Sequence, residues 1–178
     1  FLNEHGRDSL DDKGMELLST VRYCPDNSRC PYQNAFWNGE QIVSGEGHTA
    51  ADDIVAHELT HGMTQFSSNL FYYQQAGAIN ESFSDLWGEF VDLSNNEGND
   101  EPDVRWQIGE DLPNGGAVRD MREPTRFLQP DRMGSELYWC DEIDNGGVHV
   151  NSGVNNKAVS LMTDGGTFNG YTIEGMGI

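Results

Sequence analysis

Lysine is nearly absent from this chain of 178 residues. Lys13 and Lys157 are the only two, and lysine and arginine together number 10 against 30 aspartates and glutamates, a formal charge of −20. Such a surface repels nucleic-acid phosphates and anionic lipid headgroups, which excludes both as partners and leaves cations as the natural counterpart. No apolar run approaches the ~18 residues of a membrane span. Phe1 opens in mid-pattern without a basic-then-apolar start, so any export signal is expected to have been removed or to lie outside these residues. Repeats and low-complexity stretches are absent. Cysteine is scarce, at three residues. Cys24 and Cys30 flank a short Pro-Asp-Asn-Ser-Arg loop and read as a local disulfide, which implies an oxidising, extracellular setting. Their spacing is not that of a CxxC knuckle, and no second pair exists to complete one. Cys140 is left over, either as a free thiol or with a partner outside these residues. With 36% hydrophobic residues, the chain still has enough apolar side chain for a real core, in one domain or two small lobes.

Periodicity places the main elements. Asn3 to Thr20 includes a modest helical pattern around Met15, Leu17 and Leu18. Ala35 to Val43 holds aromatic and β-branched residues about an Asn38-Gly39 turn and reads as a hairpin. Asp52 and Asp53 precede an apolar stripe of Ile54, Val55, Leu59 and Met63, which predicts a helix from about Asp53 to Gln65. A second helix is predicted from Ile79 to Leu93, with Ile79, Phe83, Leu86, Phe90 and Leu93 at helical spacing. A polar, acidic loop follows, and residues 102–147 read as irregular. A third helix is predicted from Ser152 to Met162, stopped by Gly165-Gly166. Beyond it the sequence is expected to end without a closing element.

The chemistry concentrates in His57-Glu58-Leu59-Thr60-His61. Residues four apart share one helix face, so both imidazoles can reach one metal ion, with Glu58 placed beside that face to hold a water. A catalytic zinc takes three protein ligands and keeps one position open. The second helix supplies Glu81 and Asp85, one turn apart. One carboxylate can ligate zinc while the other accepts the spare ring N–H of a ligand histidine.

Four motifs, in order, resemble those of the thermolysin family of zinc endopeptidases: Asn34-Ala35-Phe36-Trp37-Asn38-Gly39, the HExxH stretch, Gly77-Ala78-Ile79-Asn80-Glu81 with Asp85, and Asp144-Asn145-Gly146-Gly147-Val148-His149-Val150-Asn151-Ser152-Gly153. The resemblance runs over essentially the whole chain. It implies an α+β, thermolysin-like two-lobe metalloprotease fold, with a β-rich N-terminal lobe remnant, a central HExxH helix and a partial helical C-terminal lobe. Residues 1–65 would form the end of the first lobe with the zinc helix. Residues 66–178 would begin the second, both being truncated. The implied activity is that of a secreted, zinc-dependent endopeptidase acting on peptides and proteins. The resemblance further implies zinc ligation by His57, His61 and Glu81, with Glu58 as general base. His149 and Tyr72 would stabilise the oxyanion, Asp144 would orient His149, and Asp85 and Asn80 would support the ligand histidines. Asn34, Ala35 and Arg119 would hold the substrate backbone. A fragment that binds zinc and calcium without catalysis is the rival reading.

The family's calcium site falls on Asp53, Asp92, Asp103, Gln107 and Glu110, with Gln107 serving through its backbone oxygen. Hard oxygen ligands from separate segments suit Ca²⁺. Two extra residues before Trp106 shift the register at Asp103. Between Gly47 and Asp53 the chain is shorter than the family pattern, which removes part of the primary pocket wall. Ile54, Ile108, Leu112 and Val118 are expected to line that pocket and to favour a large hydrophobic residue after the cleaved bond. His48 and His5 match no family role.

Overall fold

The computed structural model describes residues 5–113 and 116–178. Its first layer is a small sheet of β1 (Ser19–Thr20), β2 (Ala35–Trp37) and β3 (Ile42–Ser44), in the order β1-β3-β2. β1 runs parallel to β3, and β2 pairs antiparallel with it, Phe36 opposite Val43. This is the predicted hairpin, with Asn38 Oδ1 accepting from Glu40 N and Gln41 N to close the turn. β2 is therefore an edge strand.

The expected helical pattern at Met15, Leu17 and Leu18 does not form. The chain turns through Ser9, Asp12 and Gly14 at positive φ and then extends, leaving Leu17 and Leu18 exposed. Periodicity over so few residues could not outweigh the Asp-rich turn that precedes them. The part of that pattern at Asn3 and Glu4 lies outside the described residues. Cys24 and Cys30 form the expected disulfide, and Cys140 is an exposed free thiol.

Two long helices carry the fold. α1 spans Asp52–Gln65, with acidic residues in its first turn where the helix dipole favours negative charge. α2 spans Gln74–Asn95, starting five residues before the predicted point. Gln74 to Ala78 have adequate helix propensity but no apolar stripe and no capping side chain to announce them. The two helices pack closely. At Gly88 an added Cβ would lie 2.8 Å from the Asp53 carbonyl oxygen, so this crossing requires glycine. Ala35, Ala51, Ile54, Trp106, Ile108 and Met121 form the buried core beside them, with Leu86, Phe90, Leu112 and Val159 packed against it.

The irregular stretch contains a short pair, β4 (Gln107–Ile108) with β5 (Arg119–Asp120), and a 3₁₀ turn at Pro124–Phe127. α3 (Asp144–Asn151) opens on Asp144, Asn145, Gly146 and Gly147, all at positive φ. This left-handed turn explains the run itself, since Asp, Asn and Gly are the residues that tolerate such geometry. α4 (Gly153–Asp164) follows, close to the predicted span. The expected absence of a closing element is corrected: β6 (Gly166–Phe168) and β7 (Tyr171–Ile173) form a hairpin about Asn169-Gly170. Asn-Gly between β-forming residues is a strong hairpin signal that the flanking glycines obscured. Among the described residues, no helix is long and apolar enough to cross a membrane.

Candidate metal centre

α1 places His57 and His61 on one face, with their Nε2 atoms 3.1 Å apart. α2 brings Glu81 against them, Oε2 3.5 Å from His57 Nε2 and Oε1 3.3 Å from His61 Nε2. The remaining ring nitrogens are anchored. His57 Nδ1 donates to Asp85 Oδ1 and His61 Nδ1 to Asn80 Oδ1, both at 2.9 Å. Those acceptors hold the two rings so that both Nε2 atoms face Glu81. Glu81 is fully buried and its Oε2 has no hydrogen-bond partner. His57, His61 and Glu81, with ligand atoms this close and one buried carboxylate oxygen unpaired, form a group that could hold a metal ion. Zinc fits it, because ligand bonds of ~2.0–2.1 Å in a tetrahedron give edges of about 3.3–3.4 Å.

Charge follows the same pattern. Burial works against the Glu81 carboxylate, yet the His61 hydrogen bond and the charges of His57, His61 and His149 hold its pKa well below the ordinary range. Burial likewise opposes charge on His61, but Glu81, Glu58 and Asn80 push it up to about 9. Asp85 is fully buried, which would raise it. Arg119 and His57 outweigh that and bring it to about 2.

A cleft of about 840 Å³ opens over this centre. Glu58 lines it, with Oε2 accepting from Trp37 N at 2.8 Å. On the opposite rim the Tyr72 hydroxyl donates to Glu81 and lies 3.1 Å from His149 Nε2. His149 Nδ1 is 2.6 Å from Asp144 Oδ1, and Asp144 Oδ2 also accepts from His149 N. The left-handed turn of α3 makes this double contact, folding Asp144 back onto its own helix. Arg119 also lines the cleft and grips Asp85 with two nitrogens, at 2.9 and 2.6 Å. Asn34 and Ala35 lie along the cleft at the β2 edge.

Behind the cleft, six carboxylates gather in two groups of three: Asp53, Glu89 and Glu110, and Asp52, Asp92 and Asp111. Glu89 Oε1, Asp92 Oδ1 and Glu110 Oε2 are buried without partners. Burial and nearby acids raise four of these acids, Asp53 to about 6, Glu110 to about 8, Asp92 to about 9 and Glu89 to about 10.

Residues 68–178 match the thermolysin metallopeptidase alpha-helical domain and residues 1–65 match the thermolysin metallopeptidase catalytic domain. The chain belongs to the thermolysin metallopeptidase family. A zinc metalloproteinase of Renibacterium salmoninarum is 45% identical to it over 184 residues, covering 97% of this chain and 33% of that protein. A bacillolysin of Bacillus cereus is 41% identical over 182 residues, covering 96% of this chain and 30% of its own length. The solved precursor of protealysin, a metalloproteinase from Serratia proteamaculans, superposes with a TM-score of 0.72 at 38% identity, over 89% of this chain and 53% of that one. The chain thus spans about a third of the length of the curated relatives it matches. The thermolysin-like α+β fold expected from the motifs is the one these comparisons support.

Two expected positions differ. Among the described residues Asp103 lies outside both acid groups, exposed in the turn after Glu101, with its carbonyl accepting from Gln107 Nε2. The extra residues before Trp106 carry its carboxylate out of register. Ile108, expected in the pocket wall, is fully buried in the core instead and does not line the cleft. Sequence reasoning missed Glu89, Asp52 and Asp111. Glu89 lies four residues after Asp85, one helical turn further along the same face, and that spacing could have found it.

Proposed function

We propose that this chain is the catalytic core of a secreted zinc endopeptidase, which hydrolyses peptide bonds with metal-activated water. Its carrying observation is the convergence of His57 Nε2, His61 Nε2 and the unpaired Glu81 Oε2, the two rings being held from behind by Asp85 and Asn80. Bound there, zinc supplies Lewis acidity, polarising the scissile carbonyl and making the attacking water acidic enough for a carboxylate base.

The chain's own groups account for the rest. Glu58, steadied by Trp37 N, takes a proton from the water as its oxygen attacks the carbonyl carbon. It then delivers that proton to the departing amine as the C–N bond breaks. His149 and Tyr72 donate to the oxyanion, with Asp144 holding the imidazole. The β2 edge with Asn34 and Ala35 offers backbone groups to an extended peptide, and Arg119 binds a substrate carbonyl from the other side. Asp85 and Asn80 keep the ligand rings oriented. Ile54, Leu112 and Val118 line the cleft beside the metal ligands and favour a hydrophobic residue after the cleaved bond. Residues 1–65 and 66–178 form the two lobe portions that meet at the cleft. The Cys24–Cys30 bridge supports secretion.

Calcium is the second cofactor of this reading. Asp53, Glu89 and Glu110, with Asp92 beside them, offer the hard oxygens and the uncompensated charge that Ca²⁺ takes. Asp53 lies in the first turn of α1 and accepts from Gly109 N, so an ion there ties the zinc helix to the loop carrying Leu112.

The test is hydrolysis of casein and of furylacryloyl peptides by zinc-loaded protein, with and without chelator, alongside Glu58→Gln. Chelator-sensitive cleavage by wild type is expected, while Glu58→Gln binds one equivalent of zinc and loses nearly all turnover. Zinc binding without any cleavage by wild type refutes the catalytic reading.

A further inference from the structure

His48 stands in the wall of the same cleft as Ile54, Leu112 and Val118. It occupies the turn from β3 to α1 and is only 9% exposed. That turn is pinned on both sides of the histidine. Ala51 is buried in the core, and Gly47 presses so closely on Pro113 that an added Cβ would lie 2.8 Å from the proline ring. The wall carrying His48 is therefore a fixed part of the pocket, built where the shortened connection from β3 to α1 enters the helix.

Among the described residues, the ring's hydrogen bond is the one between Nδ1 and the Glu46 carbonyl, at 3.4 Å. A carbonyl only accepts, so Nδ1 carries the proton, and in the neutral ring Nε2 remains as an acceptor without a donor. The apolar side chains of Ile54, Leu112 and Val118 hold the body of an entering side chain and have no polar group to compete for its tip. We propose that His48 is a specificity-determining residue, selecting after the cleaved bond a side chain with an apolar body and a hydrogen-bond donor at its end, tyrosine above phenylalanine. A carboxylate-tipped side chain is disfavoured, because it meets a lone pair on a chain of net charge −20. This inference rests on the endopeptidase reading.

The experiment compares kcat/KM for peptide pairs differing only in tyrosine or phenylalanine after the scissile bond. Wild type is expected to prefer tyrosine about fivefold, the equivalent of ~1 kcal/mol for one neutral hydrogen bond. His48→Phe should bring the ratio to about one, and His48→Gln, which restores an acceptor, should recover a tyrosine preference. A wild-type ratio near one, or a preference that survives in His48→Phe, overturns the proposal. The same pairs are also titrated into zinc-loaded Glu58→Gln and followed by tryptophan fluorescence. A tyrosine advantage in binding, lost in the Glu58→Gln, His48→Phe double variant, supports the pocket even if wild type cleaves nothing and the peptidase reading fails. Equal binding of both peptides overturns it.

Discussion

Replacing Asp85 by asparagine separates two roles that share one carboxylate. Asp85 is fully buried and accepts four hydrogen bonds: from His57 Nδ1 at 2.9 Å, from Arg119 Nε and an Arg119 terminal nitrogen at 2.9 and 2.6 Å, and from Asn156 Nδ2 at 2.8 Å. Asp85→Asn keeps the shape but leaves the Arg119 guanidinium without its counter-ion, and breaking a buried pair this way costs ~3–5 kcal/mol. At ~2–4 °C per kcal/mol for a chain of this size, melting should fall by about 6–20 °C. His57 loses its charged acceptor as well, so zinc affinity should fall by about 10–100-fold. The double variant Asp85→Asn, Arg119→Met removes both charges and should regain most of the melting temperature, since deleting a whole buried pair is nearly neutral. It should not regain zinc affinity, because His57 still lacks the carboxylate. Thermal melts in chelator and zinc competition against a chromophoric chelator read the two effects separately. A single variant melting within about 2 °C of wild type, or a double variant with wild-type zinc affinity, would refute this reasoning.

The acid groups predict an unusual pH dependence. Asp53, Glu110, Asp92 and Glu89 are raised to about 6, 8, 9 and 10, so the folded chain holds protons that the unfolded chain releases near pH ~4. In chelator the melting temperature should therefore fall as pH rises from 5 towards 9, and Ca²⁺ should flatten that slope; a rise with pH in chelator counts against the groups. Asp85 has the opposite sign: its value of about 2 adds stability that is present above pH ~4 and lost as pH drops through 2. Gly88→Ala places a Cβ 2.8 Å from the Asp53 carbonyl oxygen and should cost ~1–3 kcal/mol in urea denaturation; unchanged stability would mean that α1 and α2 separate freely. Tyr72→Phe should lower kcat by about 10²-fold with little change in KM. Altered stability with unchanged kcat would instead make Tyr72 a packing residue.

Much of the metal centre was legible along the chain because a helix turns spacing into geometry. His57 and His61 share a face by their separation of four, and Glu81 and Asp85 share one for the same reason. α1 and α4 were legible within a few residues, and α2 except for its first turn. Glycine-rich junctions were read poorly. The β6–β7 hairpin was hidden by its neighbours, and the left-handed turn at Asp144–Gly147 was legible as a motif but not as a shape.

Tertiary packing decided what periodicity could not. The sequence by itself determined which side chains lie together on each helix, because backbone hydrogen bonding sets that local repeat. How closely α2 approaches α1, and so whether Glu81 meets two imidazoles, depends on a glycine crossing at Gly88. The same packing carried Glu89 to Asp53 and Glu110, put Arg119 on Asp85, turned Ile108 into the core and left His48 in the pocket wall. These residues come from segments far apart in the chain, and only the burial of shared apolar surface brings such segments into register.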